Sequence, residues 1–316
     1  MNNATYNNLI LTGQAGELAA QYQIYGENGS VDFFQNPYGL SMDLLTNYSN
    51  STYNSLQAEV RRRTRSGFDF QANYTFSKVL SDSFNTSASR IEHFLDSDNP
   101  RIERARADFD LTHMIKATAI YDLPFGKGHR LNYRPLQIVL SGWSMSGFMT
   151  WQSGSPFSVV SSRGTLNRSA RSYYNTANTA LTKPQLDNLL GFRMTGDGPF
   201  FIASSAINPA DGSGVSGDGE APFNGQVFFH PAPGALGSLQ RRMFSGPWTF
   251  NLDFGIQKNT HLTERQAVEF RMEARNILNH STFTVWDLVL DDPAFGRITS
   301  MFYSPRLIQF GLYYRF

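Results

Sequence analysis

Three observations predict an all-β chain, organised as a segment of an antiparallel transmembrane β-barrel with long connections at one end and short turns at the other. Apolar and polar residues alternate over stretches of about ten residues, the length at which a tilted strand crosses a bilayer. Aromatic residues, 14% of the chain, recur at both ends of the apolar rows. Charged residues make up only 17% while glycine occurs 26 times, a balance that suits many strands joined by polar loops.

The first clear strand places Leu56, Ala58 and Val60 on one face and Gln57, Glu59, Arg61 and Arg63 on the other. Only Thr64 to Gly67 separate it from the next, which marks a hairpin. Residues 68 to 77 alternate best: Phe68, Phe70, Ala72, Tyr74 and Phe76 oppose Asp69, Gln71, Asn73, Thr75 and Ser77. Residues 111 to 123 and 143 to 152 are weaker strands, because Met114 and Ile120 interrupt the polar face of one and Phe148 that of the other. Over 248 to 258, Trp248, Phe250, Leu252, Phe254 and Ile256 alternate with Thr249, Asn251, Asp253, Gly255 and Gln257. After a short connection near Asn259 to Glu264, Val268, Phe270, Met272 and Ala274 alternate with Glu269, Arg271, Glu273 and Arg275. The phase is lost after Asn276, where a bulge or a departure from the sheet is expected. Pro305 precedes a last strand from about Leu307 to Phe316, where its missing N–H does no harm to the ladder. Seven strands are placed in this way, and an eighth, if there is one, is expected in residues 4 to 25.

Connections alternate in length. Thr64 to Gly67, Asn259 to Glu264 and Pro124 to Leu140 are short; Ser81 to Asp110, Gly154 to Gly246 and His280 to Arg306 are long. Outer-membrane barrels have this asymmetry, with short periplasmic turns and long extracellular loops. A soluble sandwich also wets one strand face, so the ends of the rows decide the matter. Trp143 and Trp151 stand eight residues apart, roughly 20 Å of membrane height at about 3.3 Å rise and about 40° tilt. With Phe68, Phe76 and Trp248 they define two aromatic, lipid-facing girdles. A row such as Glu269 to Arg275 would be costly in a packed core but stays hydrated against a lumen.

Composition excludes several classes. With 27 basic and 26 acidic residues, the net charge of +1 gives no electrostatic case for nucleic acid. There is no cysteine, hence no disulfide, thiolate metal site or thiol nucleophile. No stretch approaches the roughly 18 apolar residues of a membrane helix, and mean hydropathy is −0.35. Met1 to Thr12 lacks the basic start and apolar core of a secretory leader, so a fragment or a mature terminus is expected.

Candidate sites are few. Asp108, Asp110 and His113 form D-x-D-x-x-H, but in a strand the two aspartates do not share a face with the histidine, and turn chemistry is the better reading. Asp211 to Glu220 lacks the oxygen-ligand spacing of a calcium loop and reads as a flexible extracellular loop tip. No nucleophile elbow, H-E-x-x-H or phosphate-cradling glycine loop is present, and Gly154 has no helical pattern after it. Neither catalysis, a metal nor a cofactor is expected. The polar rows Glu59, Arg61, Arg63 and Glu269, Arg271, Glu273, Arg275 are the best functional surface, lining a lumen or simply forming a hydrated wall.

Ordered motifs carry a resemblance across nearly the whole chain, from about Asn36 to Phe316: NPYG at Asn36 to Gly39, STYNSLQAEV at Ser51 to Val60, NYTFSK at Asn73 to Lys78 and ADFDLTH at Ala107 to His113. YDLPFGKG at Tyr121 to Gly128, GWSMSGFMTWQSGSPF at Gly142 to Phe157 and EFRMEARNILNHSTF at Glu269 to Phe283 continue the series. In this order they resemble the TonB-dependent receptors, specifically the Oar-like group. The resemblance implies an outer-membrane barrel of about 22 strands around a plug that the TonB complex rearranges. It also implies that the ending Phe310, Leu312, Tyr314 and Phe316 is an insertion signal read by the barrel-assembly machinery. The chain departs from the family in having no recognisable plug, no TonB-contacting segment and too few strands to close such a barrel. Residues 1 to 316 are therefore expected to be the C-terminal barrel portion, drawn alone as an open or curled sheet. Its partners would be TonB through the missing plug, outer-membrane lipid, and a nutrient such as a glycan, peptide or metal chelate. Two other readings stay open, a complete eight-stranded barrel serving as adhesin or anchor and a soluble carbohydrate-binding sandwich.

Overall fold

The computed structural model describes residues 4–26, 38, 47–64, 67–83, 94–96, 98–125, 137–166 and 175–316. Most of the NPYG motif, the middle of the Thr64 to Gly67 turn, most of the Pro124 to Leu140 link and the end of YDLPFGKG lie outside the described residues.

Seven long strands form one sheet: β1 (Ser51–Arg63), β2 (Phe68–Ser81), β3 (His113–Asp122), β4 (Trp143–Gln152), β5 (Thr249–His261), β6 (Ala267–Arg275) and β7 (Leu307–Arg315). Each pairs antiparallel with its chain neighbours, and a two-residue strand, Ala105–Arg106, adds beside the end of β2. All seven expected strands are present, with β1 and β2 extending further than their alternation suggests. The sheet is open. Because seven strands alternate in direction, the two edges β1 and β7 run the same way, so they cannot join as an antiparallel pair.

Register carries each face across the wall without a slip. On the apolar side Val60 pairs with Ala72, Ala72 with Ala117, Ala117 with Met149 and Met149 with Leu252. On the polar side Arg61 pairs with Gln71, Gln71 with Thr118, Thr118 with Phe148 and Phe148 with Asp253. Strand side chains have a period of two, so a one-residue shift anywhere would exchange the faces, and the unbroken rows fix the register. The phase lost after Asn276 has a plain cause: Asn276 takes φ of 47°, a left-handed conformation that asparagine tolerates, and turns the chain out of the sheet.

The long connections build a cap at one end of the wall. Residues between β4 and β5 share a core with those between β6 and β7, with Phe157, Phe201, Phe228 and Phe244 packed among Leu290 and Phe295. Short ladders organise it: Val159–Ser161 pairs in parallel with Leu288–Val289 and antiparallel with Asn175–Thr176. The helix Lys183–Leu189 starts at Thr182, whose backbone N–H donates to the Gln185 side chain at 2.9 Å. Asp211 to Glu220 is anchored in this cap through its middle, while Gly217 to Glu220 stay exposed. Ser213 and Val215 are buried, the Ser213 hydroxyl lies 2.7 Å from Asp211, and the Gly214 N–H donates to Leu290 O.

Residues 4 to 25 do not form an eighth strand. They fold as two helices, Ala4–Leu11 and Ala15–Tyr25, the second closed by Gly26 at φ 59°. Runs such as Ala-Gly-Glu-Leu-Ala-Ala-Gln are rich in residues that lose little entropy in a helix, which outweighs any local alternation. The helices stack Tyr6 on Tyr22 and meet the cap, where the Gly16 N–H donates to Gly164 O at 3.1 Å.

Candidate functional site

The polar face of the wall curves around a trough of about 460 Å³, lined by Thr118, Ser146, Asp253, Glu273, Arg275 and Gln309 among others. Ile120 and Phe148, which weaken the alternation of β3 and β4, stand exposed in this polar surface. Sequence reasoning singled out two charged rows, and the register puts them on one face but on opposite flanks. Glu59, Arg61 and Arg63 belong to the edge strand β1, while the Glu269 row belongs to β6, with β2 to β5 between.

The two rows differ in how they are held. In the β1 row, Glu59 accepts from Gln71 at 3.2 Å and Arg63 pairs with Asp69 at 2.9 Å, all on exposed side chains. Such pairs contribute little in water. Glu269 is 2% exposed and receives Gln257 at 3.1 Å and Arg315 at 2.6 Å, together with Arg271. The Arg271 guanidinium also lies 5.2 Å from the centre of the Tyr313 ring. A buried carboxylate with three donors joins β5, β6 and β7 at the end away from the cap. Glu273 and Arg275, nearer the cap, face the trough instead.

The apolar face ends in aromatic clusters on both sides. At the cap end the Tyr74 hydroxyl meets His113 Nδ1 at 2.9 Å, and Phe76 lies 5.1 Å from the His113 ring. His113 in turn stacks on Trp248, which touches Trp151 at 5.3 Å. Trp248 lies one residue before β5, so it flanks the strand. At the turn end Phe68 packs edge-on against Tyr121, Tyr314 stacks on Phe316, and Lys258 sits over Trp143. The Trp143 indole N–H donates to Val139 O at 2.8 Å. Phe310 stacks on Phe270 of β6, while Leu312 is exposed beside them.

The D-x-D-x-x-H residues are divided among separate tasks. Asp110 is fully buried, accepts the Val79 N–H and pairs with Arg106 at 2.7 Å, whereas His113 belongs to the aromatic cluster. No group of three or more metal-ligating side chains occurs among the described residues.

Two arrangements carried no sequence signal. Glu103 and Arg241 form a buried ion pair at 2.5 Å, across 138 residues of chain. Burial pushes the Glu103 carboxyl above its ordinary range, with the Arg241 charge working against that. The pair pins the β2–β3 connection to the cap, with Arg106 reaching Ser245 at 2.7 Å and Gln240 reaching Arg104 O at 3.0 Å. Within the cap, Ser161 Oγ lies 2.8 Å from His230 Nδ1, and His230 Nε2 lies 3.0 Å from Asp291. This looks like a Ser-His-Asp relay, but Ser161 is fully buried and also receives the Arg163 N–H, so its oxygen joins cap strands and meets no solvent.

An open antiparallel wall, apolar on one face and polar on the other, ringed by aromatics and topped by a folded cap, is the architecture of an outer-membrane β-barrel protein. The family model described as outer membrane beta barrel domain matches residues 2–309, and the chain belongs to that family. Its location is accordingly the outer membrane of a Gram-negative bacterium. No curated protein and no solved structure matches it.

Proposed function

We propose that this chain forms the C-terminal wall and extracellular cap of a TonB-dependent receptor of the Oar-like group, which imports a nutrient and performs no catalysis. The parallel sense of the two sheet edges is the observation that carries this reading. Unpaired backbone groups in hydrocarbon cost several kcal/mol each, so both edges need partners. Neither self-closure nor a second copy in the same membrane orientation offers β1 or β7 an antiparallel neighbour. Closure needs an odd number of additional strands, and with residues 4–25 helical the described residues do not supply them. A larger barrel made by the same polypeptide does, which disfavours the eight-stranded anchor.

In this reading the rows Glu59, Arg61, Arg63 and Glu269, Arg271, Glu273, Arg275 face the lumen and its plug. Phe68, Phe76, Trp143, Trp151 and Trp248 face lipid at the two interfaces. Phe310, Leu312, Tyr314 and Phe316 present the terminal strand to the barrel-assembly machinery, and the cap holds the cargo before it enters the lumen.

Retention of the natural full-length protein on the immobilised periplasmic domain of TonB tests this. Specific retention, strengthened by the imported nutrient, is expected. A full-length protein without a plug that passes through unretained would sink import and leave a passive barrel.

A further inference from the structure

The cap contains a cavity of about 170 Å³ with Leu95, Val160 and Val289 as apolar walls and Asn175, Asp287 and Arg241 as polar ones. Asn175 is fully buried. Its Nδ2 donates to Arg163 O at 2.9 Å and to Thr165 Oγ1 at 2.6 Å, and Thr165 spends its own hydroxyl hydrogen on Ala235 O. Both Nδ2 partners therefore accept, which fixes the amide orientation and leaves Asn175 Oδ1 with no partner. Asp287 accepts the Ser158 N–H at 2.6 Å and is engaged by the Ser158 side chain as well, so Asn175 Oδ1 is the open acceptor of the cavity wall.

Charge narrows the class of ligand. Glu103 and Asp287 balance Arg241 and Arg242, which lie within electrostatic reach of them, so a charged guest would break an existing balance. The open acceptor on Asn175 asks for an O–H donor, and three aliphatic walls ask for a C–H surface. The space holds roughly five or six water volumes of about 30 Å³ each, little more than one small molecule. We propose that this cavity binds a small neutral polyhydroxylated molecule, no larger than a single sugar residue, with a hydroxyl donating to Asn175 Oδ1. The inference rests on the reading of the cap as the cargo-holding part of an importer and names the chemical class it selects.

Titration calorimetry on the detergent-solubilised full chain tests it, using glycerol, D-glucose and D-galactose against L-valine and propylammonium. Binding of at least one neutral polyol is expected, weakened tenfold or more by Asn175→Leu and unchanged by Gln21→Ala on the second N-terminal helix. Val289→Phe fills the cavity from its apolar side without removing a hydrogen bond and should abolish binding, with near-UV circular dichroism confirming that the cap still folds. Tighter binding of propylammonium or valine overturns the proposal, and so does binding that survives both cavity variants. No polyol binding below a Kd of about 10 mM also overturns it, since water alone then occupies the site. Retention on TonB without added nutrient does not involve this cavity, so a failure here leaves import standing, and a failure there leaves the binding site standing.

Discussion

Glu269 and Arg315 are 46 residues apart in sequence and 2.6 Å apart across the ladder between β6 and β7. The contact ties β7 to the wall at the end away from the cap, beside Tyr314 and Phe316. Glu269→Gln keeps the shape but removes the charge that Arg271 and Arg315 share. Both guanidinium groups reach solvent, so the loss should fall at the low end of about 1–3 kcal/mol. Urea unfolding of the liposome-inserted chain measures it, and an unchanged midpoint would show the pairing to be incidental.

The two faces of the wall predict opposite tolerance at adjacent residues. Ala117 lies in the middle of the apolar face and Thr118 on the polar one. Ala117→Arg should cost about 2–4 kcal/mol of membrane stability, whereas Thr118→Arg should cost less than about 1. Equal costs in the same unfolding assay would remove the lipid-facing assignment.

Tryptophan depth gives an independent check. Chains retaining a single tryptophan at Trp143 or at Trp151 should both be quenched by lipids brominated near the headgroup and much less by lipids brominated at the chain terminus, since each ring sits at an interface. A Trp151 quenched most strongly from the bilayer centre would contradict the girdle.

Acid should loosen the cap through Asp291. Burial alone would raise its pKa, but hydrogen bonds from His230 and Ser162, with the charges of His230 and Arg163, hold it at about 2, below its ordinary 3.8. A depressed carboxylate stabilises the fold above its unfolded pKa, and the contribution is lost as pH falls from about 4 through about 2. Hydrogen exchange around His230 should therefore accelerate over that window, and the pH-dependent part should vanish in Asp291→Asn.

Gly154 and Gly246 meet where the chain leaves β4 and returns to β5. A Cβ on Gly154 would fall 2.1 Å from Gly246 O and 2.6 Å from Pro247 O. Backbone on both sides cannot step aside as a side chain would. Gly154→Ala should cost about 1–3 kcal/mol, read as a lowered midpoint for the cap, with wall strands that still resist protease.

The wall was legible because its physics is periodic. Membrane on one side and water on the other impose a two-residue repeat, so all seven strands and both girdles appear as rows of Phe, Trp and Tyr facing rows of Gln, Asn and Arg. Met114, Ile120 and Phe148 obscured β3 and β4 for a local reason: they are apolar residues on the trough side. The cap was not legible, because most of its ladders are two or three residues long, the longer pairing of Leu190–Thr195 with Gly198–Ile202 shifts register after Phe200, and its core joins Phe157 to Leu290 across two separate insertions. No periodicity develops in so short a strand. The Glu103–Arg241 pair is likewise a product of tertiary folding alone. The N-terminal helices were readable from Ala, Glu, Leu and Gln density, a signal that an expected eighth strand displaced.

A cap whose single core draws on two connections constrains how such a protein diversifies. Phe157, Phe228 and Phe244 arrive from one insertion, Leu290 and Phe295 from the other, and the two sets bury each other in one cluster. Recombination that exchanged one hairpin of the barrel for a relative's would deliver part of a core and leave the other part without its match. Changes to the cap must therefore be inherited as a paired event, with residues 154–246 and 280–306 travelling together while the strands beneath them stay in place.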